Sequence, residues 1–128
     1  MGGTAPSGAL TLQTIAMPAD TNANGDIFGG WLMAQMDLAA TVPARARALG
    51  RVATVAVEGM TFHRPVSVGD LVSIYAEVAS EGRTSMEIAV ETWVTRPDGE
   101  RLKVTQARFF FVAVDAAGKK RPLPERPA

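Results

Sequence analysis

The chain reads as an α+β protein in which an antiparallel sheet of five strands wraps around one long central helix. Phe28, Trp31, Leu32, Gln35, Met36, Ala39 and Ala40 recur at helical spacing and form one broad stripe. After Gly50 the whole chain reads as strand, in four runs joined largely by short turns. With 128 residues, 47% of them hydrophobic, the chain fills one core and not two. A single apolar helix stripe needs a curved sheet face to bury it, and these three observations leave α+β as the economical architecture.

Leu10 to Met17 alternates weakly and stops at Pro18, which predicts a first strand. Asp20 to Gly25 is a turn, because Asp, Thr, Asn and Gly bond their own backbone or tolerate positive φ. The helix follows from Phe28, with Asp26 as the expected N-cap. Pro43 removes an amide and crowds the turn before it, which predicts a kink or an interruption. Ala44 to Leu49 continues the helix, and Gly50 suits the C′ position.

The second strand, Val52 to Phe62, is rich in Val and Thr but carries Glu58 and Gly59. Leu71 to Ser80 alternates, with Val72, Ile74, Ala76 and Val78 on one face. A hairpin turn at Glu81-Gly82-Arg83 leads into Thr84 to Thr95, and Pro97-Asp98-Gly99 makes a second tight turn. Leu102 to Val114 closes the sheet, and its change of phase near Gln106 to Arg108 predicts a bulge. Residues 1–8 read as a disordered lead-in, 9–116 as one domain, and the Pro-rich, polar 117–128 as a loose tail.

Composition excludes several classes. Lys plus Arg number 13 and Asp plus Glu 13, so no net field draws the chain to nucleic acid or an anionic membrane. The absence of cysteine removes disulfides, thiolate nucleophiles and thiolate metal sites together. The one histidine, His63, has no G-x-S-x-G elbow to serve and too few companions for a metal site. The N-terminus lacks a basic start and an apolar run, and the longest apolar stretch is broken by Gly29, Gly30, Gln35 and Asp37. A soluble cytoplasmic protein is the expectation.

Asp37 is the only ionisable side chain between Asp26 and Arg45. Burial of a lone carboxylate costs several kcal/mol unless a partner or a proton compensates, on the order of ~2–7 kcal/mol even for neutral polar groups. That makes Asp37 the first candidate for chemistry; the plainer reading is an acid satisfied by a Ser, Thr or Asn. Gly29 and Gly30 sit at the helix start, where bare amides can stabilise a developing oxyanion. Their plainer reading is close packing of helix on sheet. Asn22 fits a turn role, and Trp31 and Met33 fit the core. A helix N-terminus with a lone acid further along has the parts of an acyl-transfer site.

Two longer segments carry a family resemblance: M-P-A-D-T-N-A-N-G-D-I-F-G-G-W-L-M-A-Q-M-D, Met17 to Asp37, and T-V-A-V-E-G-M-T-F-H-R-P-V-S-V-G-D, Thr54 to Asp70. Together with G-R-T-S-M at Gly82 and V-T-Q-A-R-F-F-F-V-A-V-D at Val104, they resemble the hotdog acyl-CoA thioesterases, in particular the short YciA-type bacterial hydrolases. The match runs from about Leu10 to Asp115.

The resemblance implies the hotdog fold and hydrolysis of the acyl-coenzyme A thioester to free acid and CoA. It implies no metal and no cofactor besides the CoA of the substrate. It also implies a homodimer whose second strands pair into one continuous sheet, assembled further as a trimer of dimers, with active sites at the dimer interface. Asp37 becomes the catalytic carboxylate, as general base or nucleophile, and Gly30, ahead of Gly29, the oxyanion donor. Asn24 stands where related enzymes carry His or Asn, and is expected to orient water or the carbonyl from the opposite subunit.

Because CoA carries phosphates, Arg83, Thr84 and Ser85 after the hairpin turn, and Arg64 at a strand end, become expected substrate contacts. Glu58, unusual inside an apolar strand, is a further substrate-binding candidate, against a simple pairing with arginine. Two other readings compete. A hotdog enoyl-CoA hydratase needs an acid and a histidine at close spacing, which His63 does not supply. A non-catalytic acyl-CoA-binding regulator would carry a DNA-binding segment. The chain departs from the family at Pro43 and in its short C-terminus.

Overall fold

The computed structural model describes residues 5–126. Five strands and one long helix follow in order: β1 (Ala9–Ile15), α1 (Gly29–Ala48), β2 (Val52–Phe62), β3 (Leu71–Glu81), β4 (Ser85–Thr95) and β5 (Arg101–Ala113). A single 3-10 turn, Pro18–Asp20, sits between β1 and α1. The sheet order is β1-β3-β4-β5-β2, with every neighbouring pair antiparallel. The strands before and after the helix therefore lie on opposite edges, and α1 crosses the concave face between them.

The helix buries Leu32, Met36, Ala39, Ala40, Ala44 and Ala48. They meet Val72 and Ile74 of β3, Met86, Ile88 and Val90 of β4, and Phe109 and Phe111 of β5 in one core. Four alanines in this stripe let the backbone approach the sheet closely, and the phenylalanines fill the volume the alanines leave.

Pro43 does not break the helix, which runs unbroken to Ala48. A proline at that position leaves the Ala39 carbonyl without its amide donor. The Thr11 hydroxyl, from β1, donates to that carbonyl at 2.9 Å. The irregularity expected near Gln106 to Arg108 is present in the pairing with β2, where the extra residue lies on β2, and β5 has its own bulge nearer its start. Pairing with β4 slips between Thr92 and Trp93, which leaves Val104 as the extra residue of β5, and pairing with β2 slips between Glu58 and Thr61. Gly59 adopts φ 70° there and absorbs the slip.

The C-terminal segment, expected to be loose, is fastened down as far as it is described. Lys120 bridges Val114, Arg121 N–H donates to the Ala113 carbonyl at 3.0 Å, and Leu123 packs against the core. The Arg121 guanidinium reaches the Val114 and Ala48 carbonyls at 3.0 and 2.9 Å. Composition suggested solvation; the backbone found partners instead. At the other end, residues 1–4 of the expected lead-in lie outside the described residues, and Ser7 Oγ donates to Glu77 at 3.0 Å.

The two sheet edges differ in length and cover. β2 is an eleven-residue edge strand with only Val52 and Met60 even half-buried. Val55 is 58% exposed, and Leu38 and Val42 on the neighbouring helix flank are 58% and 51% exposed. A long apolar edge of unpaired amides and carbonyls is a template for pairing with another strand.

Candidate active site

The site begins where α1 begins. Asp26 is not the cap; Phe28 holds the N-cap position and offers no side-chain bond, and the first turn contains no acid. Asp26 lies in a bend and Ile27 is drawn into a bridge with Thr21, so the helix starts later. The first amides of a helix have no partner within it. Leu32 N–H already bonds the Phe28 carbonyl at 3.2 Å, which leaves the amides of Gly29, Gly30 and Trp31 for an outside acceptor.

The glycines are not required by this chain's own packing. A Cβ at Gly30 would meet nothing within 4 Å, and one at Gly29 would only touch the Phe62 ring at 3.7 Å. Neither glycine has a positive φ. Two glycines in a first helical turn cost about 1 kcal/mol each relative to alanine without any local return. That pattern fits an occupant from outside the chain.

Beside these amides lies a cleft of about 180 Å³ lined by Phe28, Gly29, Leu32, Phe62, Arg64 and Val66, among others. Arg64, an expected substrate contact, is thus brought to the helix N-terminus. Its loop is held by Asp70, which is 1% exposed, accepts from Ser67 N–H at 2.9 Å and pairs with Arg96 at 2.6 Å. His63 serves the strand end, its N–H donating to the Val104 carbonyl at 2.9 Å.

Asp37 lies two helical turns beyond Gly30, on the same face because seven residues return almost to the same angle. Its side chain is half-buried, and Oδ1 accepts a hydrogen bond from the Thr54 hydroxyl at 2.6 Å. Thr54 is exposed on the β2 edge, so the pair sits where helix flank and open strand meet. Oδ2 has no hydrogen-bond partner among the described residues. The carboxylate is neither sealed in a dry interior nor held out in solvent. Thr54 was missed by sequence reasoning: a threonine in a β-rich run carries no local signal.

The remaining candidates divide. Asn22 Oδ1 accepts from Asn24 N–H at 2.9 Å and Asp26 N–H at 3.1 Å, which organises the turn before the helix and leaves its side-chain amide free to donate. Asn24 is exposed. Glu58 lies on the outer face of the sheet, away from Asp37, and pairs with Arg108 at 3.0 Å. The chain does not bring it to the helix N-terminus. Arg83, Thr84 and Ser85 form the end of the β3–β4 hairpin. Met86, Phe111 and Thr54 stand in one row across β4, β5 and β2, so this hairpin is at the same end of the sheet as Asp37 but two strands away, about 10 Å.

Comparison with known proteins agrees with this architecture. The sequence model of the thioesterase superfamily matches residues 24–99. The acyl-CoA thioester hydrolase YciA of Salmonella typhimurium is 58% identical over 123 residues, spanning 93% of this chain and 92% of that protein. The crystal structure of HI0827, a hexameric broad-specificity acyl-coenzyme A thioesterase, superposes with a TM-score of 0.92 at 52% identity, covering 97% of this chain and 86% of that one. An acyl-CoA hydrolase from Staphylococcus aureus, solved with butyryl coenzyme A and coenzyme A, matches with a TM-score of 0.81 at 30% identity over 88% of this chain and 70% of that one. Structures of its alanine variants replace an asparagine and an aspartate that lie fifteen positions apart. By sequence and by architecture, this chain belongs to the thioesterase superfamily and is a hotdog domain.

Proposed function

We propose that the protein is an acyl-CoA hydrolase that works as a homodimer, with Asp37 as its catalytic carboxylate and the Gly30 amide as oxyanion donor. The observation that carries the reading is the placement of a half-buried carboxylate, held by Thr54, on an open strand edge, with uncapped helix amides on the same helix face. The relatives named above act on acyl-CoA, and a thioester is already an activated acyl group. Positioning one water and stabilising one oxyanion is enough chemistry for its hydrolysis.

Distance supports the dimeric reading. Gly30 and Asp37 are seven residues apart on one helix, about 10 Å at 1.5 Å per residue. A water on a base and the carbonyl it attacks must lie within about 3–3.5 Å. One chain could bridge that separation only with a fully extended line of carboxylate, water, carbonyl and amide, which favours a site shared between two copies. Pairing β2 with β2 of a second copy antiparallel brings the Asp37 of one helix toward the amide end of the other, completes both sites and covers the apolar edge. Three such dimers give the hexameric form of the related enzymes. CoA thioesters, the proposed substrates, are cytoplasmic metabolites.

In the reaction, the thioester carbonyl accepts from the Gly30 amide, and Gly29 leaves room for its approach. Asp37 either takes the proton of the attacking water and passes it to the departing CoA sulfur, or attacks the acyl carbon directly. Direct attack expels a thiolate that is protonated from water, after which water hydrolyses the acyl–Asp37 anhydride to free acid. Arg64 at the cleft and Arg83, Thr84 and Ser85 at the hairpin bind the phosphates of CoA; Glu58, paired to Arg108, is the weakest of the substrate candidates. For the asparagine, the fifteen-residue spacing seen in the Staphylococcus aureus hydrolase is that between Asn22 and Asp37, which favours Asn22 over Asn24. Replacing each by alanine tests this: the larger fall in kcat identifies the orienting residue.

The central test is thiol release from an acyl-CoA panel by wild type and Asp37→Ala. A loss of about 10²–10⁴ in kcat is expected for a positioned general base. Turnover retained within threefold by a folded, oligomeric Asp37→Ala enzyme defeats the proposal. A single turnover in ¹⁸O-water tests for direct attack by Asp37: label found in the carboxylate of the protein shows that an acyl–Asp37 anhydride was opened at the Asp37 carbonyl.

A further inference from the structure

We infer that residues 119–124 form a strap that positions the β3–β4 hairpin for the nucleotide end of CoA, with Arg121 as its fastening. The inference rests on the reading that this hairpin binds the CoA phosphates. Its turn is closed within itself by one bond, Gly82 N–H to the Ser85 carbonyl at 2.9 Å. The rest of its fixing comes from the C-terminal part of the chain. Leu123 N–H donates to the Arg83 carbonyl at 2.9 Å, and Ala113 N–H to the Thr84 carbonyl at 2.9 Å. With those carbonyls engaged, the side chains of Arg83, Thr84 and Ser85 make no hydrogen bond among the described residues and are left for a ligand.

Arg121 ties the strap at three points. Its backbone amide bonds Ala113, and its guanidinium bonds Val114 and the Ala48 carbonyl at the helix end. Gly50 makes room for this: a Cβ there would lie 3.0 Å from Arg121 Nη2. Arg47 donates to the Pro124 carbonyl at 2.7 Å. Pro122 and Pro124 restrict φ, which lowers the entropy lost when the segment is held down. Helix end, last strand and hairpin are thereby laced into one rigid corner. A phosphate-binding hairpin gains affinity when its donors are held in place before the ligand arrives.

The test uses the full-length oligomer and one acyl group presented on two carriers, CoA and pantetheine, which lacks the nucleotide. Arg121→Ala is expected to raise KM for the acyl-CoA about tenfold with kcat unchanged, and to leave acyl-pantetheine kinetics as in wild type. A chain ended after Pro122 keeps Arg121 and removes the Leu123 amide; it should show the same carrier-selective effect, and Arg121→Lys a smaller one. Equal loss on both carriers, or no loss on acyl-CoA in either variant, overturns the strap. Arg83→Ala is the reference. If it discriminates between carriers while the strap variants do not, the strap alone fails. If it does not discriminate, the hairpin reading fails and the strap falls with it.

Discussion

The two ends of α1 are treated in opposite ways. At the C-terminal end, Leu49 takes the left-handed conformation at φ 53°, Arg45 and Arg47 sit in the last turn, and Arg121 from the chain's far end bonds the Ala48 carbonyl. Cations and donors there complement the negative end of the helix dipole. At the N-terminal end nothing comparable exists: no cap bond, no acid, and glycines where better helix formers would fit. One end is built for stability. The other withholds its donors from the protein, which is what a site for an external oxyanion requires.

The largest test of that contrast after Asp37 removes a single donor. Proline is tolerated in the first helical turn because the amide it lacks is unpaired there anyway. Gly30→Pro should therefore fold with little change in Tm yet lose about 3 kcal/mol of transition-state stabilisation, a hundredfold or more in kcat. Gly29→Pro should cost less if Gly30 is the donor. Gly30→Ala sharpens the point from the other side: its Cβ enters space that is open within the chain, so helix propensity should stabilise the fold by up to about 1 kcal/mol. A rise in Tm together with a fall in kcat means stability was given up for the site. A rise in both means it was not.

Thr54→Val is the intermediate case. It keeps the shape of the side chain and removes the hydroxyl that donates to Asp37 at 2.6 Å. The expected loss is about tenfold in kcat/KM, of the size of one charge-assisted hydrogen bond. An unchanged kcat/KM would mean that Thr54 serves the strand edge and not the carboxylate.

Much of this was readable from local pattern. The helix stripe, the four strands after Gly50 and the lone acid at Asp37 all follow from periodicity and from what surrounds each residue in sequence. What was not readable depends on partners far along the chain. Pro43 was expected to disrupt α1 because the rule sees only the missing amide; Thr11, 28 residues away in sequence, supplies the Ala39 carbonyl with another donor. The C-terminal tail looked solvated because prolines and cations usually are, but its amides meet carbonyls of β5 and of the hairpin. Thr54 was invisible for the same reason: only the folded chain brings it to Asp37. Asp26 misled because capping statistics do not know that Ile27 is needed for a bridge to Thr21.

The smallest expected effect belongs to the stable end of α1, where Glu81 lies between Arg47, at 2.8 Å, and Arg126. The Arg47 hydrogen bond, aided by Arg126, holds the Glu81 carboxyl below its ordinary value of 4.5, against burial, which pushes it up. A group whose pKa falls on folding contributes stability that is complete above its unfolded value and is lost as pH drops through the folded one. Glu81 should therefore stabilise the fold fully above about pH 4.5 and progressively less below it. Because the pair is near the surface, Glu81→Gln should lower Tm at neutral pH by no more than about 2 °C, and less in high salt. Melts of the two proteins should converge as pH falls below 4.5 and through the lowered value of the folded protein, where the wild-type carboxyl also becomes neutral. Parallel curves across that range would show that the ion pair does not tie the strap to the helix end, and the contrast between the two ends would then rest on Arg121 and its carbonyls alone.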